Sequence, residues 1–274
     1  MPELPEVEAM ARRLERHGAG RVLERVETVD HRVLSARPGA PEGVGAPIRA
    51  VRRRAKYLLF DVGDATWILH FRMTGLLVLG PGARHVRARL WLGPGAAGAP
   101  DALSLEDSRC LAEIWRAPAE GVPAFFDAIR LGPEPWPERR EPAWWAERLG
   151  ARAAPLKPAL MDQARIGGLG NITASEICFR AQLSPHLPTR ALTPAALSRL
   201  ADAAWTFLEA AVADADADDL RYINAGGANP FLIYQRDGEP CPRCGETIRR
   251  TVQSGRGTWL CPRCQPPPAG ISPT

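Results

Sequence analysis

Val7, Met10, Ala11 and Leu14 recur at i, i+3, i+4 and i+7 behind Pro5, which suits a first helical position, and Gly18 offers a stop. The pattern predicts a helix over residues 5–18. Glu6 and Glu8 fall where the helix dipole favours anions. The apolar stripe ties the N-terminus to a core, against the usual fraying of chain ends. From about residue 21 to 115 the period changes. Short alternating or apolar runs at 22–29, 57–62, 66–71, 76–79 and 86–92, broken by Gly and Pro, predict antiparallel strands in sheets packed face to face. GPGAAGAPDA at 93–102 reads as a surface loop between strands.

At PEPWPERREP, residues 133–142, the strand texture stops and a linker is predicted. Helical periodicity follows at 143–149, at 172–181 and at 194–213, the last with Leu197, Leu200, Ala201, Ala204, Leu208 and Ala211 along one side. The tail QPPPAGISPT has the composition of a disordered segment. No internal repeat is visible.

Composition adjusts this picture in three ways. A chain of 274 residues suits two compact units better than one. The formal charge of +4 is weak support for a polyanionic partner. Of the 35 cationic side chains only Lys56 and Lys157 are lysines, an imbalance that reads as GC-rich coding bias and makes those two positions stand out. No charged segment leads into an apolar export signal, and no apolar run approaches the roughly 18 residues of a membrane span. A cytoplasmic protein is expected.

Four of the six cysteines fall as CPRC at Cys241/Cys244 and CPRC at Cys261/Cys264, a C-x2-C-x16-C-x2-C spacing. Two such knuckles complete a tetrahedral zinc site with no open position, so one structural Zn2+ is expected. Two disulfides would require an oxidising compartment that nothing else in the sequence suggests. Cys110 and Cys178 read as ordinary semi-buried residues. Between the knuckles RRTVQSGRGTWL predicts a hairpin with Arg256 at its tip, where Gly255 and Gly257 would let the backbone approach a phosphate; a merely solvated arginine is the alternative.

GGLGN at 167–171 precedes a helical run, with no strand or βαβ unit around it, so it is not a dinucleotide fingerprint. It offers either an anion site at a helix N-terminus or a plain cap. Lys56, in VRRRAKYLLF, follows three arginines that mark a basic strip, and its compact ammonium can approach a phosphate or a reacting centre differently from a guanidinium fork.

Taken together the motifs resemble the formamidopyrimidine-DNA glycosylase family, which also includes endonuclease VIII. The matching residues are PELPEVE at the start, the Lys56 strand, LHFRMTG at 69–75, LKPALMD at 156–162, GLGNITASE at 168–176 and the terminal CPRC…GRGTWLCPRCQ. The resemblance implies an α+β multidomain chain. Its parts would be an N-terminal catalytic β-sandwich with an N-terminal helix at 1–132, a linker at 133–142, a helix-two-turns-helix domain at 143–235, a zinc finger at 236–266 and a disordered tail at 267–274. Damaged double-stranded DNA would cross between the halves of a monomer.

The resemblance also implies a mechanism. Removal of Met1 would leave Pro2 as a secondary amine with an ordinary pKa of about 7.7–8.0, so a useful fraction is neutral. Attack on C1′ expels the base and forms an iminium, after which β,δ-elimination cuts the strand. Glu3 matches the acid/base that opens the sugar ring, and Glu6 its supporting carboxylate, alongside its helix-dipole role. Lys56, His70, Asn171 and Arg256 match the phosphate contacts, and Lys157 a lysine near the lesion pocket. Met73, which its apolar strand would make a core residue, matches the methionine that fills the space left by the flipped nucleotide.

Departures bear on the substrate. Where purine-specific members carry Asp-Pro-Arg-Arg-Phe-Gly this chain reads DSRCLA, keeping Arg109 but placing Leu111 where a phenylalanine wedges the opposite strand. Asn-Ile-Tyr becomes Asn171-Ile172-Thr173, and the segment at 224–241 is shorter than the one that caps 8-oxoguanine. The expected activity is a bifunctional glycosylase and abasic-site lyase for formamidopyrimidines, with 8-oxoguanine and oxidised pyrimidines as alternative substrates. A non-cleaving lesion binder and a generic zinc-ribbon adaptor are the competing classes.

Overall fold

The computed structural model of the chain describes residues 2–34, 43–217 and 229–268. Met1, most of the tail and residues 224–228 of the shortened segment lie outside them. Residue contacts divide the described chain into two units, 2–129 with 212–217 and 130–211 with 229–268.

The first unit opens with α1 (Leu4–Gly18), whose predicted stripe of Val7, Met10, Ala11 and Leu14 is buried. Eight strands follow: β1 (Leu23–Thr28), β2 (Ile48–Arg54), β3 (Tyr57–Val62), β4 (Ala65–His70), β5 (Gly75–Leu79), β6 (Val86–Leu92), β7 (Ala102–Asp107) and β8 (Glu113–Pro118). They form two antiparallel sheets, ordered β1-β6-β7-β5 and β2-β3-β4-β8. Leu58, Phe60, Val62 and Leu69 of one sheet share a single apolar core with Leu90, Leu92, Leu103 and Leu105 of the other, and α1 adds Val7, Met10 and Leu14 to it. This is the expected sandwich. The outer face of the second sheet carries Tyr57 beside His70, and α2 (Val122–Ala128) lays Phe125 and Phe126 over Tyr57.

Three strands escaped the pattern reading for identifiable reasons. In β2 the arginines of IRAVRRR interrupt the alternation, although Ile48 and Val51 are buried. In β7 the Gly/Ala/Pro-rich loop runs directly into Ala102, and β8 lies at the end of the strand-like texture.

The second unit holds α3 (Pro142–Leu149), α4 (Leu156–Met161), α5 (Asn171–Arg180), most of α6 (Pro194–Ala217) and the hairpin β9 (Arg249–Gln253) and β10 (Arg256–Leu260). α4 hides from periodicity because it is six residues long, and its Pro158 is tolerated in a first turn, where the missing N–H has no intrahelical partner to lose. Leu200, Ala201, Ala204 and Leu208 of α6 are buried as their spacing predicts. The hairpin core unites Ile248, Trp259, Cys241 and Cys261 with Phe179 of α5 and Ile233.

Candidate active site

Glu3 is the N-cap of α1 and only 2% exposed, and Pro2 is buried beside it. Glu6 reaches back one turn, its Oε2 accepting the Glu3 N–H at 2.8 Å, the returning arm of a capping box. Burial and the neighbouring Glu3 carboxylate raise the Glu6 pKa to about 7. The opening motif therefore gathers two carboxyl groups at one buried helix start, one of them able to hold a proton near neutral pH.

β2 and β3 are joined by the two-residue turn Ala55–Lys56, with Ala55 in the left-handed region at φ 52°. Lys56 is buried rather than solvated. The turn is held by Arg53, whose Nε donates to Glu8 Oε2 of α1 at 2.8 Å and whose Nη1 donates to the Ala55 carbonyl at 3.0 Å. The expected basic strip is thus partly neutralised, since Arg53 is paired inside and Arg52 is paired with Asp61 outside. His70 ends β4, opposite Tyr57. Its Nδ1 accepts the Arg72 N–H at 3.2 Å, which leaves the ring proton on Nε2. Burial, then the charges of Arg72 and Lys56, push its pKa down to about 3, so the imidazole is a neutral donor.

Met73 lies in the tight turn between β4 and β5, where Gly75 N–H bonds the Phe71 carbonyl at 2.9 Å and a Cβ at Gly75 would stand 2.6 Å from that oxygen. The turn turns Met73 outward to 39% exposure, which removes it from the core to which its pattern assigned it. Arg109 and Leu111 sit on the turn after β7, both exposed, Leu111 to 42%. Leu111 and Met73 are thus both exposed on a unit whose other large apolar side chains are mostly inside.

In the second unit Lys157 and Asn171 converge on one carbonyl, that of Gly257, next to Arg256. Lys157 is 1% exposed, and its Nζ donates to the Gly257 carbonyl at 2.8 Å and to Thr258 Oγ1 at 2.7 Å. Asn171, the first residue of α5 behind the Gly170 cap, donates Nδ2 to the same carbonyl at 3.2 Å, while its buried Oδ1 has no partner among the described residues. Arg256, one residue earlier on the hairpin, is exposed. The glycine turn therefore braces the hairpin as well as capping a helix. Glu176 of the same motif, fully buried, accepts the amides of Leu232, Ile233 and Tyr234, at 3.2, 2.9 and 3.1 Å.

The sulfur atoms of Cys241, Cys244, Cys261 and Cys264 all lie within 4.8 Å of one another, with Cys241–Cys264 at 3.9 Å and Cys244–Cys261 at 3.5 Å. Tetrahedral zinc with bonds of about 2.3 Å needs separations of this size. The Cys264 amide donates to Cys261 Sγ at 3.4 Å, the knuckle contact that a thiolate ligand accepts. Four sulfurs and no water position fit a structural zinc.

Arg53, Thr74 and Asp107 position these groups without having been singled out in the sequence, and Glu8, noted there only for the helix dipole, joins them as the partner of Arg53. The signal for Asp107 was available: an Asp at a strand end followed by a polar pair is a turn-forming pattern. Arg53 was hidden among its neighbouring arginines.

Three family models match the chain: the formamidopyrimidine-DNA glycosylase N-terminal domain over residues 1–114, its H2TH domain over 131–220, and the zinc finger found in FPG and IleRS over 238–267. The formamidopyrimidine-DNA glycosylase of Chloroflexus aurantiacus is 38% identical, covering 97% of this chain and 98% of its own. That of Symbiobacterium thermophilum is 37% identical, covering 99% and 92%. Among solved structures, MutM in complex with DNA containing carbocyclic 8-oxo-G is similar with a TM-score of 0.84 at 29% identity, over 97% of this chain and 100% of that one. The Lactococcus lactis enzyme bound non-covalently to DNA with an AP site gives the same values.

Proposed function

The chain belongs to the formamidopyrimidine-DNA glycosylase family, and from that premise we propose that Pro2, Glu3 and Glu6 carry its chemistry on damaged duplex DNA. It is a base-excision repair enzyme, a DNA glycosylase that is also an abasic-site lyase, with one structural zinc on Cys241, Cys244, Cys261 and Cys264. The observation that carries the residue assignment is the buried helix start. An imino acid stands directly before an N-cap glutamate, whose amide is held by a second carboxyl with a pKa of about 7.

Once Met1 is removed, the lone pair of the Pro2 nitrogen forms a bond to C1′ as the bond from C1′ to the damaged base breaks, the base leaving with the electron pair and the proton that the Pro2 nitrogen sheds. Glu3 gives a proton to O4′ as the sugar ring opens, leaving a C1′ iminium. Glu6, neutral below about pH 7, keeps the pair of carboxyl groups from carrying two charges. The iminium acidifies C2′; loss of that proton expels the 3′ phosphate, and a second elimination expels the 5′ phosphate. Zinc takes no part in these steps and closes the hairpin that presents Arg256.

Lys56 and His70 in the first unit, and Asn171 and Arg256 in the second, bind the phosphates around the lesion. Met73, Arg109 and Leu111 enter the duplex. Lys157 acts through the hairpin that it braces. The enzyme works as a monomer in the cytoplasm, where reduced thiols suit the zinc site. Leu111 is smaller than an aromatic wedge, which favours ring-opened purines and leaves oxidised pyrimidines as a second substrate class.

Borohydride reduction on an abasic-site duplex tests the reading. Met-free protein is expected to give a covalent adduct that Pro2→Gly greatly diminishes. Absence of an adduct with the mature protein would identify a lesion binder instead, and a panel of single-lesion duplexes decides the substrate.

A further inference from the structure

Asp107, the last residue of β7, is 1% exposed, and its carboxylate is fully engaged. Oδ2 accepts the amides of Leu111 at 2.6 Å and Ala112 at 2.7 Å. Oδ1 accepts the Arg109 amide at 3.1 Å and, from another turn 33 residues away, a short hydrogen bond from the Thr74 hydroxyl. Four donors saturate an ionised carboxylate. Burial alone would raise its pKa, and these donors outweigh that and hold it below the usual range.

All four donors belong to residues in or beside the proposed DNA-entering set: Arg109, Leu111, Ala112 next to Leu111, and Thr74 next to Met73. Both turns hold a non-glycine residue in the left-handed region, Arg72 at φ 51° beside Met73 and Cys110 at φ 52° between Arg109 and Leu111. Such conformations are strained and persist only where surrounding contacts impose them. The Cys110 amide also bonds the Asp107 carbonyl at 3.4 Å, and its thiol donates to Asp30 Oδ2 at 3.2 Å. An aspartate that merely ended a strand would bond its own turn. The Thr74 bond reaches a second one.

We infer that Asp107 is the positioning residue that locks the Met73 turn to the Arg109–Leu111 turn, so that the three side chains enter the base stack as one preformed wedge. The inference rests on the DNA-entering role proposed above. Extruding a nucleotide costs the free energy of its unstacking and unpairing. A wedge that had also to order its own backbone would add the conformational entropy of each residue fixed. Asp107 places that cost in folding instead of in each encounter with DNA.

The decisive variant is Thr74→Val, which removes only the side-chain link between the turns and leaves Asp107 its own amides and its strand pairing with Gly75. Extrusion is read, before chemistry, from the fluorescence of 2-aminopurine opposite a non-cleavable abasic analogue. Thr74→Val is expected to slow it about tenfold, the effect of a small misplacement, Thr74→Ser to restore it, and Asp107→Asn to slow it at least as much. In an Asp107→Ala background Thr74→Val is expected to add nothing, because the acceptor of the Thr74 hydroxyl is already gone. Equal extrusion by wild type and Thr74→Val would overturn the inference, as would a Thr74→Val loss that serine does not repair. Borohydride trapping on single-stranded abasic DNA runs alongside: no adduct from wild type with extrusion intact would refute the glycosylase reading and leave the lock standing.

Discussion

Lys157 donates its ammonium to the carbonyl of Gly257, 100 residues further along the chain, at 2.8 Å, with almost no exposure to water. Its ammonium is engaged inside the protein, by the Gly257 carbonyl and the Thr258 hydroxyl. It fixes the peptide that follows Arg256, and Asn171 fixes the same carbonyl from the start of α5.

Lys157→Met therefore keeps the buried volume and withdraws the donor. The Gly257 carbonyl and Thr258 hydroxyl lose a buried partner, a loss of about 1–3 kcal/mol each at most. The hairpin carrying Arg256 should loosen, and duplex affinity should fall about tenfold with damaged and undamaged DNA alike, as phosphate contacts do. Titration of both duplexes checks this. A loss confined to lesion-containing DNA would show that Lys157 reads the base.

How far the sequence disclosed this arrangement depends on the range of each interaction. α1 was legible because its stripe is local and its buried residues are the predicted ones. The zinc knuckles were legible because ligand spacing is itself a local geometry, realised as sulfurs within 4.8 Å. Met73 was misread by pattern, since one tight turn at Gly75 reverses the direction that strand alternation assigns to it; only the family resemblance placed it outside. The bonds from Thr74 to Asp107 and from Arg53 to Glu8 join residues far apart in the chain, and no periodicity encodes a pair of that kind.

Two buried groups in the first unit should impose opposite pH slopes on stability. The Glu6 pKa is raised from 4.5 to about 7. Between those values the unfolded chain has released a proton that the native state keeps, so stability falls as pH rises, by on the order of 3 kcal/mol in all. The His70 pKa is lowered from 6.5 to about 3. Below 6.5 the unfolded chain takes up a proton that the native state refuses, so stability falls as pH drops, by up to about 1.4 kcal/mol per unit. Glu6→Gln should gain on wild type as pH rises from 4.5 to 7, and His70→Gln should gain as pH falls below 6.5. Urea unfolding across pH 4.5–8 measures both, and parallel curves for wild type and Glu6→Gln would refute the proton held at the helix start.

The Glu8–Arg53–Ala55 chain makes a last, separable claim about how Lys56 is placed. Arg53 has a side chain only 3% exposed, and it spans from the α1 carboxylate to the turn that carries Lys56. Removing one partner of a buried pair leaves the other charge uncompensated, at a cost of about 3–5 kcal/mol. Glu8 keeps a second, more exposed partner in Arg12 at 2.9 Å, which places Arg53→Met toward the lower end of that range. Arg53→Lys preserves the charge, but an ammonium is a point donor and lacks the fork that serves Glu8 and the Ala55 carbonyl together. The two variants should separate stability from positioning. Arg53→Met should lower both the urea midpoint and the rate of abasic-site trapping, whereas Arg53→Lys should recover most of the midpoint and little of the rate. Recovery of both by lysine would mean that charge alone suffices and that the Ala55 contact does not set the position of Lys56.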